Sequence, residues 1–281
     1  MSKLMVFVYI SLFAFLACGE DVTTDAGSGE PSQPGGAGPT LSQEGKLQLT
    51  PCEQITSGDQ SACETSIYSV KNTSASPGVP DDSRVAVVGI VTGLRINADN
   101  LYSHLILSTP LNDPNYQNED YASLWIYLNN ADDETLREQP PVVGSYVQII
   151  GSVKTHFGQR QLEKVEQIVP LSESPTLPDA VEVSSTDIAL NGPRSWTLEG
   201  ALVTIRNVSV VNPSPAPGPG DGMDGAPTYE FEVDGGLIVN DFIYSGLPQP
   251  AGGDVYTQIT GFLRYANNTF KLEPRNAQDI Y

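Results

Sequence analysis

Two stretches of the chain repeat one another at the same spacing, and the residues at their turns tie that spacing to a backbone geometry. Ile149-x-Gly151 is followed, eleven residues after its glycine, by Leu162-Glu163; Ile259-x-Gly261 is followed at the same distance by Leu272-Glu273. Seven residues past each glycine stand Gly158 and Asn268. Both types tolerate the left-handed backbone that a tight hairpin demands. Each copy therefore reads as two strands joined by a short turn. The agreement predicts a tandem repeat over 84–171 and 198–281.

The text around each copy supplies further strands. In the first half, "RVAVVGIVTGLR" is a long β-branched run, followed by "LYSHLILS" and, after a polar loop, "ASLWIYL". "DDETLREQ" begins with acids suited to a helix N-terminus and predicts a short helix. "GSYVQIIGSVK" and "QRQLEKVEQIV", joined by "THFG", complete the unit. Three strands, a short helix and two strands is the order of an OB-fold barrel. The second half offers "LEGALVTIRNVSVV" with a bend expected at Gly200, a hairpin around Asp234-Gly235-Gly236, then "DVYTQITGFLRY" and "TFKLEPR". The 26 glycines and 22 prolines supply the turns such a chain requires. The expected fold class is all-β, with two tandem OB-fold-like five-stranded barrels after a disordered lipoprotein tether.

The N-terminal region predicts where the barrels stand. Lys3 precedes an apolar run from Leu4 to Ala17. That run is shorter than the roughly 20 residues of a membrane-spanning helix and reads as a signal-peptide core. Phe15-Leu16-Ala17-Cys18 resembles a bacterial lipobox, with a small residue before the cysteine. The resemblance implies cleavage before Cys18, diacylglycerol on its sulfur and an acyl chain on its new amine. A secretory signal cut near Ala17 without lipid is the alternative. Residues 1–17 are thus expected to be a lipoprotein signal peptide, and 18–46, without large hydrophobes, a disordered tether. With Cys18 spoken for, Cys52 and Cys63 are the remaining two of three cysteines and predict a disulfide in an oxidising compartment. Residues 47–83 read as a disulfide loop and N-terminal extension, and 172–197 as a connector packed against both barrels.

The segments "SIYSVK", "VAVVGIVTGL", "ASLWIYL", "VGSYVQIIGSV" and "QLEKVEQI" resemble an OB-fold module of secreted bacterial nucleases and of predicted lipoproteins of myxobacteria. "WTLEGALVTIRNVSV" and "GDVYTQITGFLRYANNTFKLEPRNAQDI" resemble the module that follows it in those lipoproteins. The resemblance covers residues 65 to 281 and rests on turn glycines and core residues. It implies an OB-fold envelope lipoprotein or an accessory to a secreted nuclease. Those nucleases keep their chemistry in a separate domain that nothing here matches.

Residues for catalysis are scarce. His104 lies inside a predicted strand and His156 in a predicted hairpin, neither in a metal-ligand spacing such as H-E-x-x-H. Asp132, Asp133 and Glu134 read as a solvated helix start. Asp221-x-x-Asp224 lacks the alternating acids of a calcium loop. No catalytic residue, metal or cofactor is expected. The net charge of −20 repels phosphate backbones and argues against general nucleic-acid binding.

A ligand surface has a more definite address. OB-folds bind with the face of their second and third strands and with two loops. In the first barrel those places hold Arg95, Asn97, Tyr102, Trp125, Tyr127, Lys154, His156, Phe157 and Arg160. The sharpest set is Tyr102, Trp125, Tyr127, Lys154, His156 and Arg160, aromatic rings with basic neighbours that suit stacked bases or sugars. Trp125 and Tyr127, two apart on one strand face, equally suit a core or a face packed on the other domain. Charge favours the first barrel, with ten acids to six bases, over residues 173–281, with fourteen to five. The expected function is a non-catalytic binding or structural module, held at the outer membrane by lipid on Cys18, for a protein or glycan partner. The alternative is an extracytoplasmic single-stranded nucleic-acid binder.

Overall fold

A computed structural model describes residues 44–54, 61–74, 78–173, 175–221 and 228–281. The first barrel is built from β2 (Arg84–Ile96), β3 (Tyr102–Ser108), β4 (Ser123–Tyr127), β5 (Tyr146–His156) and β6 (Gln159–Pro170), with α2 (Thr135–Glu138) between β4 and β5. The sheet runs β2-β3-β4-β6-β5 and closes through β2–β5. All pairings in that ring are antiparallel except β4 with β6, where Ile126 faces Leu162. The second barrel repeats this with β8 (Leu202–Asn212), β9 (Phe231–Val233), β10 (Leu237–Val239), β11 (Val255–Ala266) and β12 (Thr269–Glu273). It closes through β8–β11, and its parallel pair, β10 with β12, sets Val239 against Leu272. Both are closed five-stranded barrels of the OB-fold type, as the strand order predicts.

Each interior is filled by the β-branched and leucine residues of the long runs. Val85, Val87, Leu105, Leu107, Leu124 and Ile126 belong to one core, and Val203, Ile205, Phe231, Val233, Leu263 and Leu272 to the other. The repeated glycines have a steric cause. A Cβ on Gly151 would lie 3.0 Å from the carbonyl oxygen of Glu163, and one on Gly261 only 2.7 Å from that of Glu273. The repeated turns behave alike too. Phe157 and Gly158 in one, and Asn267 and Asn268 in the other, all have positive φ, the signature of a type I′ hairpin.

The repeat extends upstream of both barrels. β1 (Cys63–Glu64) runs parallel to β2, with Cys63 opposite Val85, and β7 (Val181–Glu182) runs parallel to β8, with Val181 opposite Val203. A short helix follows each edge strand, α1 (Ile67–Lys71) and α3 (Ser185–Ile188). Each has a serine N-cap: Ser66 Oγ accepts from the Ser69 N–H at 3.1 Å, and Ser184 Oγ from the Asp187 N–H at 3.2 Å. The segment read as a connector thus carries the edge strand and capped helix of the second barrel.

Cys52 and Cys63 are bonded to each other. Because Cys63 is buried in the first barrel's core and pairs with β2, the disulfide is stitched to that barrel. At the end of the expected tether, Lys46 pairs with Glu64, and the Leu47 backbone exchanges two hydrogen bonds with the Gln148 amide. The bend at Gly200 precedes β8, which starts at Leu202. Cys18 and the other residues expected to form the signal peptide and tether, through residue 43, lie outside the described residues, as does Asp224.

The two barrels belong to one compact unit. Ile106 and Trp125, pointing out of the first barrel, pack against Phe262 of the second, with Leu202, Phe242 and Ile243 beside them. Around this apolar centre, Gln159 donates to Glu199 at 3.0 Å, Lys71 pairs with Glu199, and Arg194 donates to Glu119 and Asp120 at 2.9 and 2.6 Å.

Candidate functional site: the cleft between the barrels

The six residues singled out from sequence do not form one surface. Trp125 is completely buried, donates its indole N–H to the Leu263 carbonyl at 3.3 Å, and meets the ring edges of Phe242 and Phe262. It is an interface anchor with no face left for a ligand. The reason is period two: Leu124 and Ile126 enter the barrel core, so Trp125 and Tyr127 point outward, where the second barrel lies. Tyr102 packs against the first barrel's core. Arg160 is buried and pins the incoming chain, donating to the Val70 and Val79 carbonyls and, at 2.7 Å, to Asp81. Lys154 reaches Asp82 at 3.1 Å. His156 is exposed beside Phe157, and Tyr127 accepts from the Asn129 amide at 3.3 Å.

The remaining candidates take the plainer of their two roles. His104 is buried in β3, its Nδ1 3.0 Å from Ser103 Oγ, its ring against Trp125, Tyr127 and Phe242. Burial, then Arg264 and Arg95, hold its pKa well below the usual histidine range, so it stays neutral. Asp132, Asp133 and Glu134 are exposed, and Asp133 caps the turn into α2 by accepting from the Thr135 N–H at 2.9 Å. Among the described residues no three His, Cys, Asp or Glu side chains converge to hold a metal ion.

Arg95 and Asn97, named from the β2–β3 loop, do line a cavity, but one that both barrels build. It is an open cleft of about 730 Å³. The first barrel supplies Arg95 to Ala98. The second supplies the segment after β10 (Asn240 to Ile243, with Ser245), Arg264 on β11 and Asn267 at the hairpin. Asp221 and Thr228 complete the wall. Phe242 organises it: the Arg95 guanidinium carbon stands 4.0 Å from the ring centroid and that of Arg264 3.6 Å. Arg95 also donates Nε–H to the Phe242 carbonyl at 2.8 Å and Nη1–H to Ser103 Oγ at 2.8 Å. Two cations are thereby held on one ring that joins the barrels.

Beneath them lies a buried charge cluster. Lys271 pairs with Glu230 and, at 2.7 Å, with Asp221. Glu273 is fully buried, accepts from the Asn240 amide at 3.1 Å, and stands 3.9 Å from Arg264 Nη1. Burial pushes its carboxyl up to about 7 against the opposing pull of Arg264 and Asn240. Burial likewise raises Asp241 and Glu230 above the usual carboxylate range and lowers Arg264. Arg264 Nε and Glu273 Oε2 are buried without a hydrogen-bond partner among the described residues. Such a site can bind and orient a polar group. Sequence reading missed Arg264 and Asp241 because neither lies in the first barrel, where charge counting directed attention.

No family model matches the chain. No curated protein matches it. Solved structures similar to it include a putative aspartyl-tRNA synthetase from Leishmania major Friedlin, at 12% identity over 47% of this chain and 25% of that one, TM-score 0.29. A replication protein A heterotrimer bound to ssDNA matches at 14% identity over 32% of this chain and 58% of that one, TM-score 0.21. The single-stranded DNA binding protein from Thermus aquaticus matches at 12% identity over 69% and 90%, TM-score 0.19. The chain thus spans 25% and 58% of the first two structures' own lengths.

Proposed function

We propose that this protein is a non-catalytic binding module of the bacterial cell envelope, anchored by lipid on Cys18, that takes a glycan or protein ligand in the cleft between its two barrels. The observation that carries the binding role is the preformed polar cleft around Phe242. Both arginines lie over the Phe242 ring, and Arg95 also reaches across the barrel boundary through one hydrogen bond to the Phe242 carbonyl. Groups fixed before the ligand arrives lose little freedom on binding. The short apolar run ending in Ala17-Cys18 supports the anchor, and two or more acyl chains give stable attachment. An envelope lipoprotein is also what the likeness to the myxobacterial OB-fold proteins implies.

The competing reading is a single-stranded nucleic-acid binder. The outward face of β3 and β4, one such proteins use, is occupied here by Phe262 and its neighbours, and the chain's charge is −20. Two measurements on the full chain test the proposal. Cys18→Ala is expected to lose its acyl mass and leave the membrane fraction. A glycan array is expected to give a hit that survives raised salt. Oligonucleotide binding that weakens steeply with salt, with no glycan or protein hit, overturns the binding assignment in favour of nucleic acid. Membrane attachment of Cys18→Ala overturns the anchor.

A further inference from the structure

We propose that the cleft selects a sugar bearing a single carboxylate, with the Arg264 guanidinium taking the carboxylate while Asp241 and the surrounding amide and hydroxyl groups take sugar hydroxyls. This rests on the cleft being the binding site.

Arg264 carries the argument. Its side chain is 17% exposed and its guanidinium carbon lies over Phe242; its Nε, without a partner among the described residues, is buried, so its two Nη groups are what the cleft presents. The only carboxylate in ion-pair range among the described residues, Glu273, is 3.9 Å away, beyond hydrogen-bond length. A buried guanidinium with unspent donors is costly unless something accepts from it. Its planar fork matches the two oxygens of a carboxylate. Lys271 does not compete, since Glu230 and Asp221 engage it, and Arg95 has spent two donors on Phe242 and Ser103.

The rest of the wall fits hydroxyls. Asp241 is half-buried, lines the cleft and has no ion pair among the described residues, so its carboxylate can accept from a diol beside the backbone N–H it already engages. The Ser245 and Thr228 hydroxyls line the same space, with Asn97 and Asn267 on either side. Charge limits the ligand. Asp241 and Asp221 in the cleft, and a chain at −20, repel a polyanion, whereas one carboxylate among neutral hydroxyls is accepted.

The test is calorimetric titration of the full chain with an aldobiouronic acid (glucuronic acid joined to a neutral sugar), its methyl ester, cellobiose and inorganic phosphate. The acid is expected to bind at least tenfold more tightly than the ester or cellobiose, and phosphate not to displace it. Arg264→Lys is expected to lower affinity for the acid at least tenfold and leave the ester unchanged. Ser245→Trp, at the exposed rim, is expected to block the acid without altering the fold, and decides the matter if Arg264→Lys fails to fold. Equal affinity for acid and ester, abolished by Ser245→Trp, overturns the carboxylate assignment and leaves the cleft as the site. Binding of the acid untouched by Ser245→Trp, or no sugar binding at all, overturns the proposal. Displacement by phosphate at equal concentration overturns the sugar assignment.

Discussion

Glu163 and Glu273 occupy the same place in the two barrels, each after a leucine that faces the parallel partner strand. Glu163 is half-exposed on the first barrel, whereas Glu273 is fully buried between Asn240 and Arg264. One register earlier the contrast reverses. Trp125 of the first barrel, opposite Gln161, is buried by the neighbouring barrel, while its counterpart Ile238, opposite Lys271, stays partly exposed. Equivalent backbone positions therefore have unequal environments. The repeat specifies two barrels, and their asymmetric docking specifies which copy of each position becomes interface or site.

The largest effect should separate Trp125 from Ile238. Trp125→Ala removes the largest side chain at the barrel interface and is expected to cost about 3–5 kcal/mol in denaturant unfolding. Ile238→Ala, on a partly exposed position, is expected to cost about 1 kcal/mol. Equal losses would break the comparison.

The glutamates should differ next. In the native protein Glu273 holds its proton up to about 7, while in the unfolded chain it releases it near 4.5. Between those values the native state binds more protons, so stability falls as pH rises through the window. The full effect is on the order of 3 kcal/mol at most. Glu273→Gln, which keeps an oxygen for the Asn240 amide, is expected to remove this slope, and Glu163→Gln to leave it. Stability profiles of the two variants between pH 4 and 8 provide the check.

The disulfide has no counterpart in the second barrel's edge strand, where Val181 stands in place of Cys63. Reduction is expected to cost about 2–3 kcal/mol through lost loop closure. Hydrogen exchange should show that loss first in β1 and β2. Faster exchange in β7 and β8 instead would show that the two edge strands are coupled.

The smallest effect is where the barrels should agree. Ser66→Ala and Ser184→Ala each delete one helix N-cap and are expected to cost about 1 kcal/mol apiece. Thermal shifts of similar size would confirm that the caps are repeated parts.

Much of the fold was legible because its signals are local. Hairpin turns require positive φ, which Gly158, Asn268 and Gly235 announce, and each core is written in alternating β-branched residues. The upstream edge strands were not legible. Two residues such as Cys63-Glu64 or Val181-Glu182 are too short to show a period and become strands only because β2 and β8 offer them a partner. The candidate site was half legible. Arg95 and Asn97 sit on a loop that the strand order identifies, but Arg264 and Asp241 come from the other barrel.

By itself, the sequence determined the all-β class, two five-stranded barrels, their hairpins and the cysteine pair that bonds, because backbone geometry and side-chain alternation act over a few residues. Only the tertiary structure decided that Trp125 is an interface anchor, that Tyr102 and Arg160 serve the first barrel's packing, and that the cleft lies between barrels. Burial of an outward-facing side chain is a property of whatever packs on it. Here that is a second barrel whose Phe242, Phe262 and Arg264 lie about 120 to 160 residues further along the chain than the first-barrel residues they meet.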